Sequence, residues 1–182
     1  MQTPFLTLIT GGVRSGKSRW AFETARSLPE KKAFLATAEA FDESMRSRIQ
    51  NHQRERGAEF TTFEEPLYLG KALSGIRGKF EVVLIDCMTV WLGNLFYRFE
   101  TAPEKRQQEI QGFLETLNPK QTRVFIVTNE TGSGVMPENA LARRYVDELG
   151  ALNQQLAQLA DEVIWMVCGI PQVIKKNALV AS

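Results

Sequence analysis

Five short apolar runs punctuate the chain: FLTLIT (5–10), KAFLAT (32–37), EVVLID (81–86), RVFIVT (123–128) and EVIWMV (162–167). Each carries Val, Ile, Leu or Phe at both odd and even positions, as a strand covered on both faces of a sheet must. Gly, Pro or polar turns bound every run. Between them the spacing becomes helical over Lys17–Ser27, Asp42–Arg56, Arg106–Leu117 and Asn139–Asp161. Strands that alternate with helices predict an α/β fold with a mainly parallel sheet flanked by helices. A sixth run, AEFTTF (58–63), predicts an extra strand without a fixed place in that pattern. No repeat or low-complexity linker divides the chain, so residues 1–182 are expected to form a single domain.

Composition narrows the class without changing the fold. The 43% hydrophobic and 24% charged content is that of an ordinary globular protein. With 22 Lys+Arg against 21 Asp+Glu, the net charge of +1 argues against nucleic-acid binding driven by bulk charge. Cys87 and Cys168 both sit in apolar runs, LIDCM and WMVCG, and read as small buried hydrophobes in a reducing compartment. The N-terminus lacks a basic signal region, and no apolar run approaches the roughly 18 residues of a membrane helix. A cytoplasmic protein without a membrane span is expected.

The first chemical signal lies directly after the first strand. GGVRSGKS (11–18) fits G-x-x-x-x-G-K-[ST], with Gly11, Gly16, Lys17 and Ser18 at the fixed positions and Gly12, Val13, Arg14 and Ser15 between them. A hydrophobic strand leads in and an amphipathic segment leads out, as a phosphate-binding loop (P-loop) requires. Its glycines let successive N–H groups turn toward phosphate oxygens, and the helix N-terminus adds a favourable potential for anions. Lys17 would reach the β and γ phosphates, and the Ser18 hydroxyl would ligate Mg²⁺. Asp86 ends the strand VVLID, where a carboxylate can take a Mg²⁺-bound water; by itself such a carboxylate is commonplace. The loop specifies a nucleoside triphosphate and leaves the base and the acceptor open.

His52 is the chain's one histidine, and Arg46, Arg48, Arg54 and Arg56 surround it. On a helix over Asp42–Arg56 it shares a face with Met45 and Ile49. The pattern alone admits an ordinary structural histidine. It also admits a nucleophile, because nearby positive charge disfavours imidazolium and keeps a ring lone pair available at neutral pH. The same arginines would attract a triphosphate and stabilise charge developing at phosphorus.

Beyond these signals, the segments GGVRSGKS, LATAEAFDESMRSRIQNHQRER, FTTFEEP, VVLIDCMTVWLGNL, the long run from IVTNETGSGVMPEN to VIWMVCGIP, and VIKK occur in the order and spacing of one family. The chain resembles the bifunctional adenosylcobinamide kinase / adenosylcobinamide-phosphate guanylyltransferases of cobalamin biosynthesis, from the first strand to about Lys176. The segment VTNE-x-G-x-G-x-x-PEN (127–139) is the most specific part, since a generic P-loop kinase has no reason to carry it. The resemblance implies two reactions: phosphorylation of adenosylcobinamide by ATP or GTP, and transfer of GMP from GTP to the new phosphate through a guanylylated histidine. The family's nucleophile falls on His52. Many members carry two adjacent histidines there, whereas this chain has Asn51 then His52. Where members often have Glu after the third strand, this chain has Asp86. The resemblance further implies nucleotide contacts at Ala36, Thr37 and Ala38, at Gln53, Arg54, Glu55 and Arg56, and near Glu64, together with a homotrimer.

Other features are less decided. Glu64 and Glu65 also read as a solvated turn. Trp91, Phe96, Tyr97 and Phe99 read chiefly as core packing, with a corrinoid pocket or an oligomer interface as alternatives. Thr128, Asn129 and Glu130 follow a strand end, where α/β folds place ligands, and a site role is expected there without a specific assignment. Two other functions fit the motifs taken alone: a simple P-loop small-molecule kinase with a structural His52, and a nucleotide-dependent regulatory module.

Overall fold

The first apolar run becomes β1 (Leu6–Gly11), and the helical segment after it becomes α1 (Lys17–Arg26). Next come β2 (Lys32–Ala36), β3 (Phe60–Glu64), α2 (Leu69–Ile76), β4 (Val82–Asp86), α3 (Met88–Arg98) and α4 (Pro103–Thr116). The chain then continues through β5 (Arg123–Val127), α5 (Ala140–Leu159), β6 (Glu162–Val167) and β7 (Ile170–Lys176). This computed structural model describes residues 6–39, 59–118 and 122–176. The helix expected over Asp42–Arg56, with His52 and Gln53–Arg56, lies outside the described residues.

The strands form one sheet in the order β3-β2-β4-β5-β1-β6-β7. The pairings from β3 through to β6 are all parallel, and β7 runs antiparallel to β6. Residues alternate between two cores, as the period of a strand dictates. Leu8, Leu35, Val83, Ile85 and Ile126 point into the larger core beneath α2, α3, α4 and α5. Ile9, Phe34, Leu84, Phe125 and Val127 point to the opposite face, where Ala21 and Ala25 of α1 pack on them. Small residues on α1 let its axis lie close to the sheet.

The uncertain run AEFTTF is part of the sheet: β3 is its outer strand, parallel to β2. Only Phe60 of β3 is buried, which explains its weak signal. β7, also an edge strand, is almost entirely exposed and gives no burial period to read. Helices α2 and α3 were not among the expected elements, and α4 begins at Pro103, three residues before the expected start. Trp91 is fully buried and Phe96 nearly so, in agreement with core packing, whereas Tyr97 is exposed. The indole N–H of Trp91 donates to the Leu67 carbonyl at 2.8 Å, joining α3 to the approach of α2. Arg106 is buried between α4 and α5, forked onto Glu148 at 2.7 and 2.8 Å and stacked on the Phe96 ring.

The cysteine expectation needs correction. Cys87 is partly buried, but Cys168 is exposed, because the run WMVCG ends in the β6–β7 turn, where Cys168 takes a left-handed φ of 51°. Among the described residues, no helix is long and apolar enough to cross a membrane.

Candidate functional site

The loop between β1 and α1 is shaped by two glycines. Gly11, at φ 144°, lies against β6: a β carbon there would sit 2.5 Å from the Met166 carbonyl oxygen. Gly16, at φ 94°, occupies the N-cap of α1 and provides no side-chain cap. The first-turn N–H groups of α1 are therefore left available to an anion. Arg14 is also left-handed, at φ 56°, and the Ser15 carbonyl accepts from Gly169 N–H at 2.9 Å. The loop is thus braced against the β6–β7 turn.

Lys17 is only 6% exposed. Its Nζ donates to the Gly12 carbonyl and, at 3.3 Å, to Ser15 Oγ. Burial lowers its pKa from the ordinary lysine value, and the nearby Asp86 carboxylate opposes the shift. The ammonium is therefore held inside the loop, where phosphate oxygens would be better partners than a carbonyl and a hydroxyl.

Register lines up the rest. Ile9 pairs with Val127, Val127 with Asp86, Asp86 with Ala36 and Ala36 with Glu64. These residues form one row across five strands, on the face that α1 covers only in part. Strands in a sheet lie about 4.8 Å apart, so the Asp86 and Glu64 backbones stand about 10 Å apart, one on each side of Ala36. Beyond the N-terminus of α1 this face opens into a cavity of about 540 Å³. Val13, Arg14, Ser15, Gly16, Lys17 and Ser18 line one side of it; Ala36, Ala38, Glu64 and Asp86 line the other.

Thr37 is absent from that wall. It is fully buried, and its hydroxyl accepts from Cys87 N–H at 2.8 Å and donates to the Cys87 carbonyl at 2.9 Å. Asn94 in turn donates to the Thr37 carbonyl at 2.8 Å. Thr37 therefore fixes the end of β4, directly after Asp86. Burial, and after it the Asp86 charge, push the Cys87 thiol up to about 12, so it stays protonated on the cavity wall. Phe34, Val90 and Val127 also line the cavity. They gave no sequence signal beyond apolarity, because only pairing shows which apolar residues face the opening.

The segment Thr128–Glu130 divides. The Thr128 hydroxyl is buried and donates to Asn153 Oδ1 on α5 at 2.7 Å. Asn129 lines the cavity, and the exposed Glu130 carboxylate accepts from Gly132 N–H at 2.8 Å. Ser18 and Asp86 are hard oxygen donors on one cavity, the set that Mg²⁺ takes when substrate phosphates and waters complete its shell.

Residues 7–174 match the family CobU, cobinamide kinase / cobinamide phosphate guanyltransferase. The chain belongs to this family. Curated relatives of the CobU family chain include the bifunctional adenosylcobalamin biosynthesis protein CobP of Pseudomonas aeruginosa, 40% identical over 94% of this chain and 98% of the relative. The bifunctional adenosylcobalamin biosynthesis protein CobU of Salmonella typhimurium is 35% identical, with 93% of this chain and 99% of the relative covered. Among solved structures, the RadB recombinase matches with a TM-score of 0.52 at 17% identity, covering 90% of this chain and 74% of that one. The flagellar accessory protein FlaH of Methanocaldococcus jannaschii gives 0.55 at 11% identity, with 96% and 80% covered. A type III secretion ATPase gives 0.58 at 10% identity, with 90% and 51% covered. These likenesses establish the P-loop NTPase fold of the CobU family chain.

Proposed function

We propose that the chain phosphorylates adenosylcobinamide with a nucleoside triphosphate and then transfers GMP from GTP to adenosylcobinamide phosphate, giving adenosylcobinamide-GDP. The observation that carries this reading is the meeting of Lys17, Ser18 and Asp86 on one cavity in a chain of the CobU family. In the kinase step the acceptor hydroxyl oxygen bonds to the γ phosphorus, the bond to the β,γ-bridging oxygen breaks, and the nucleoside diphosphate leaves. The loop N–H groups and Lys17 hold the phosphates and stabilise their charge during transfer. Ser18 and Asp86 would hold Mg²⁺, Asp86 through water. Bound there, the ion would neutralise charge on the β and γ phosphates.

GMP transfer requires a group to carry the nucleotide, and His52 is the residue we assign. A neutral imidazole nitrogen attacks the α phosphorus of GTP and pyrophosphate leaves. A phosphate oxygen of adenosylcobinamide phosphate then attacks the same phosphorus, and the imidazole leaves unchanged. Ala38 lines the cavity, and His52 follows it by 14 residues in the chain. Gln53, Arg54, Glu55 and Arg56, with Glu64 across the sheet row, belong to the same nucleotide site in this reading. A single domain, cytoplasmic location and a homotrimer complete the proposal; the trimer rests on the family resemblance alone. Incubation with [α-³²P]GTP and Mg²⁺, then denaturing electrophoresis, tests the carrier. Acid-labile, base-stable label on the protein is expected, and an unlabelled but active enzyme would overturn it.

A further inference from the structure

The end of β5 carries the structure beyond loop, metal ligand and histidine. The ladder between β1 and β5 continues past the strand: Thr128 N–H donates to Ile9 C=O at 2.9 Å and Glu130 N–H to Gly11 C=O at 3.0 Å. Asn129 therefore lies beside Gly11, the first residue of the P-loop. It stands one pleat beyond Val127, which pairs with Ile9 on one side and Asp86 on the other. Side chains two apart on a strand share a face, so Asn129 and Val127 both point to the α1 side, and both line the cavity.

The backbone of Asn129 is tied from three directions. Its N–H donates to Thr89 Oγ1 at 2.9 Å, its carbonyl accepts from Asn153 Nδ2 at 3.0 Å, and the Glu130 bond to Gly11 follows directly. Asn153 is itself held by the Thr128 hydroxyl. Helices α3 and α5 thus both contribute a side chain to fix one residue. Its own amide group makes no hydrogen bond among the described residues, although it faces the cavity that Lys17, Ser18 and Asp86 share. A fixed backbone behind an unused amide donor is the arrangement of a ligand contact.

Position selects which part of the ligand. The loop and the N-terminus of α1 would serve the phosphates above β1, and Ser18 and Asp86 would hold Mg²⁺, which would supply positive charge to the phosphate oxygens. β5 is the strand between β1 and β4. We propose that Asn129 Nδ2 donates to a γ-phosphoryl oxygen in the kinase step, making it a catalytic residue that recognises the transferring group. The proposal rests on the reading of the cavity as a triphosphate site. During transfer the γ phosphorus gains a bond to the acceptor oxygen and loses its bond to the bridging oxygen, whose electron pair leaves with the diphosphate. The acceptor hydroxyl proton leaves to solvent. Asn129 makes and breaks no covalent bond. It adds a neutral donor where charge spreads over the equatorial oxygens, without competing with Lys17.

The test compares two ligands on three proteins. Calorimetry measures Mg²⁺-bound guanosine β,γ-imidotriphosphate and Mg²⁺-bound GDP on the wild type, Asn129→Asp and Asn129→Ala, each with its melting temperature. Asn129→Asp keeps the shape, removes the donor and brings a negative charge to the γ-phosphate. Loss of a hydrogen bond to a charged group should weaken the triphosphate analogue about tenfold or more in both variants. Affinity for GDP should change by less than about twofold, since GDP lacks the γ group and a charge-assisted contact is local. Kinase turnover should fall on the order of 10²-fold. An equal loss for both ligands, or a loss for neither, overturns the role of Asn129 while the triphosphate site stands. Failure of the wild type to bind either nucleotide, or Lys17→Ala binding both as the wild type does, overturns the site itself and this proposal with it.

Discussion

The two faces of the sheet are built from the same strands and do different work. Among the described residues, the face beneath α2 to α5 buries 26 apolar residues, among them Trp91, Phe113 and Leu149, and four helices lie on it. The α1 face buries 12, to which α1 contributes Ala21 and Ala25, with its Trp20 and Phe22 partly buried against that core. Bulky side chains fill the larger layer, whereas the small Ala21 and Ala25 carry α1 close to the other face, and among the described residues the C-terminal ends of β5, β4 and β2 line the cavity beside it. The lysine, serine and carboxylates of the cavity lie on that thinner face. One face supplies stability and the other supplies chemistry. The two communicate at strand ends, through Thr37 behind Asp86 and through Thr89 and Asn153 behind Asn129.

This division is broken most strongly by Trp91→Ala. The indole is fully buried and carries a hydrogen bond, and large-to-small changes of this kind cost about 3–5 kcal/mol. Chemical denaturation should register that loss, while nucleotide affinity measured well below the transition stays near the wild-type value. A variant of unchanged stability would remove Trp91 from the structural face.

Lys17→Ala should do the reverse. Both transfer reactions should fall on the order of 10² or more, because the lost charge acts on the triphosphate common to both. Its melting temperature should hold or rise, since burial disfavours the charged form of Lys17. Near-normal transfer from GTP would show that the loop is not the nucleotide site of either reaction.

Asp86→Asn sharpens the contrast within the cavity. The amide preserves shape and loses charge, so the Mg²⁺ concentration for half-maximal turnover should rise by about tenfold, with a smaller change in nucleotide affinity. A Mg²⁺ titration of activity measures both, and an unmoved midpoint would return Asp86 to a structural role.

What the sequence revealed follows the same division. The five inner strands were legible because a strand covered on both faces must be apolar throughout. Strand β3 was legible as a run without its place in the sheet, and β7 was not legible, because an edge strand that is mostly exposed has little burial period to read. Helix α3 was visible only as an aromatic cluster, since its core residues include polar Asn94, committed to carbonyls of Thr37 and Pro66. The loop at 11–18 was legible because its chemistry is local in sequence. Thr37, by contrast, gave no hint that its hydroxyl clamps Cys87, a contact between residues 37 and 87 that pairing alone creates. The unused amide of Asn129 likewise becomes meaningful only when β5 is placed between β1 and β4.

The central claim is that one triphosphate cavity feeds two reactions, only one of which needs a histidine. The most direct measurement assays both on purified, folded His52→Ala: phosphoryl transfer to adenosylcobinamide, and GMP transfer from GTP to adenosylcobinamide phosphate. His52 is the one imidazole in the chain, so no second histidine can take its place. GMP transfer should vanish with the covalent label, and phosphoryl transfer, which passes directly from γ phosphorus to hydroxyl, should persist at a substantial fraction of the wild-type rate. Retained GMP transfer, or loss of both reactions in a correctly folded protein, would contradict the account.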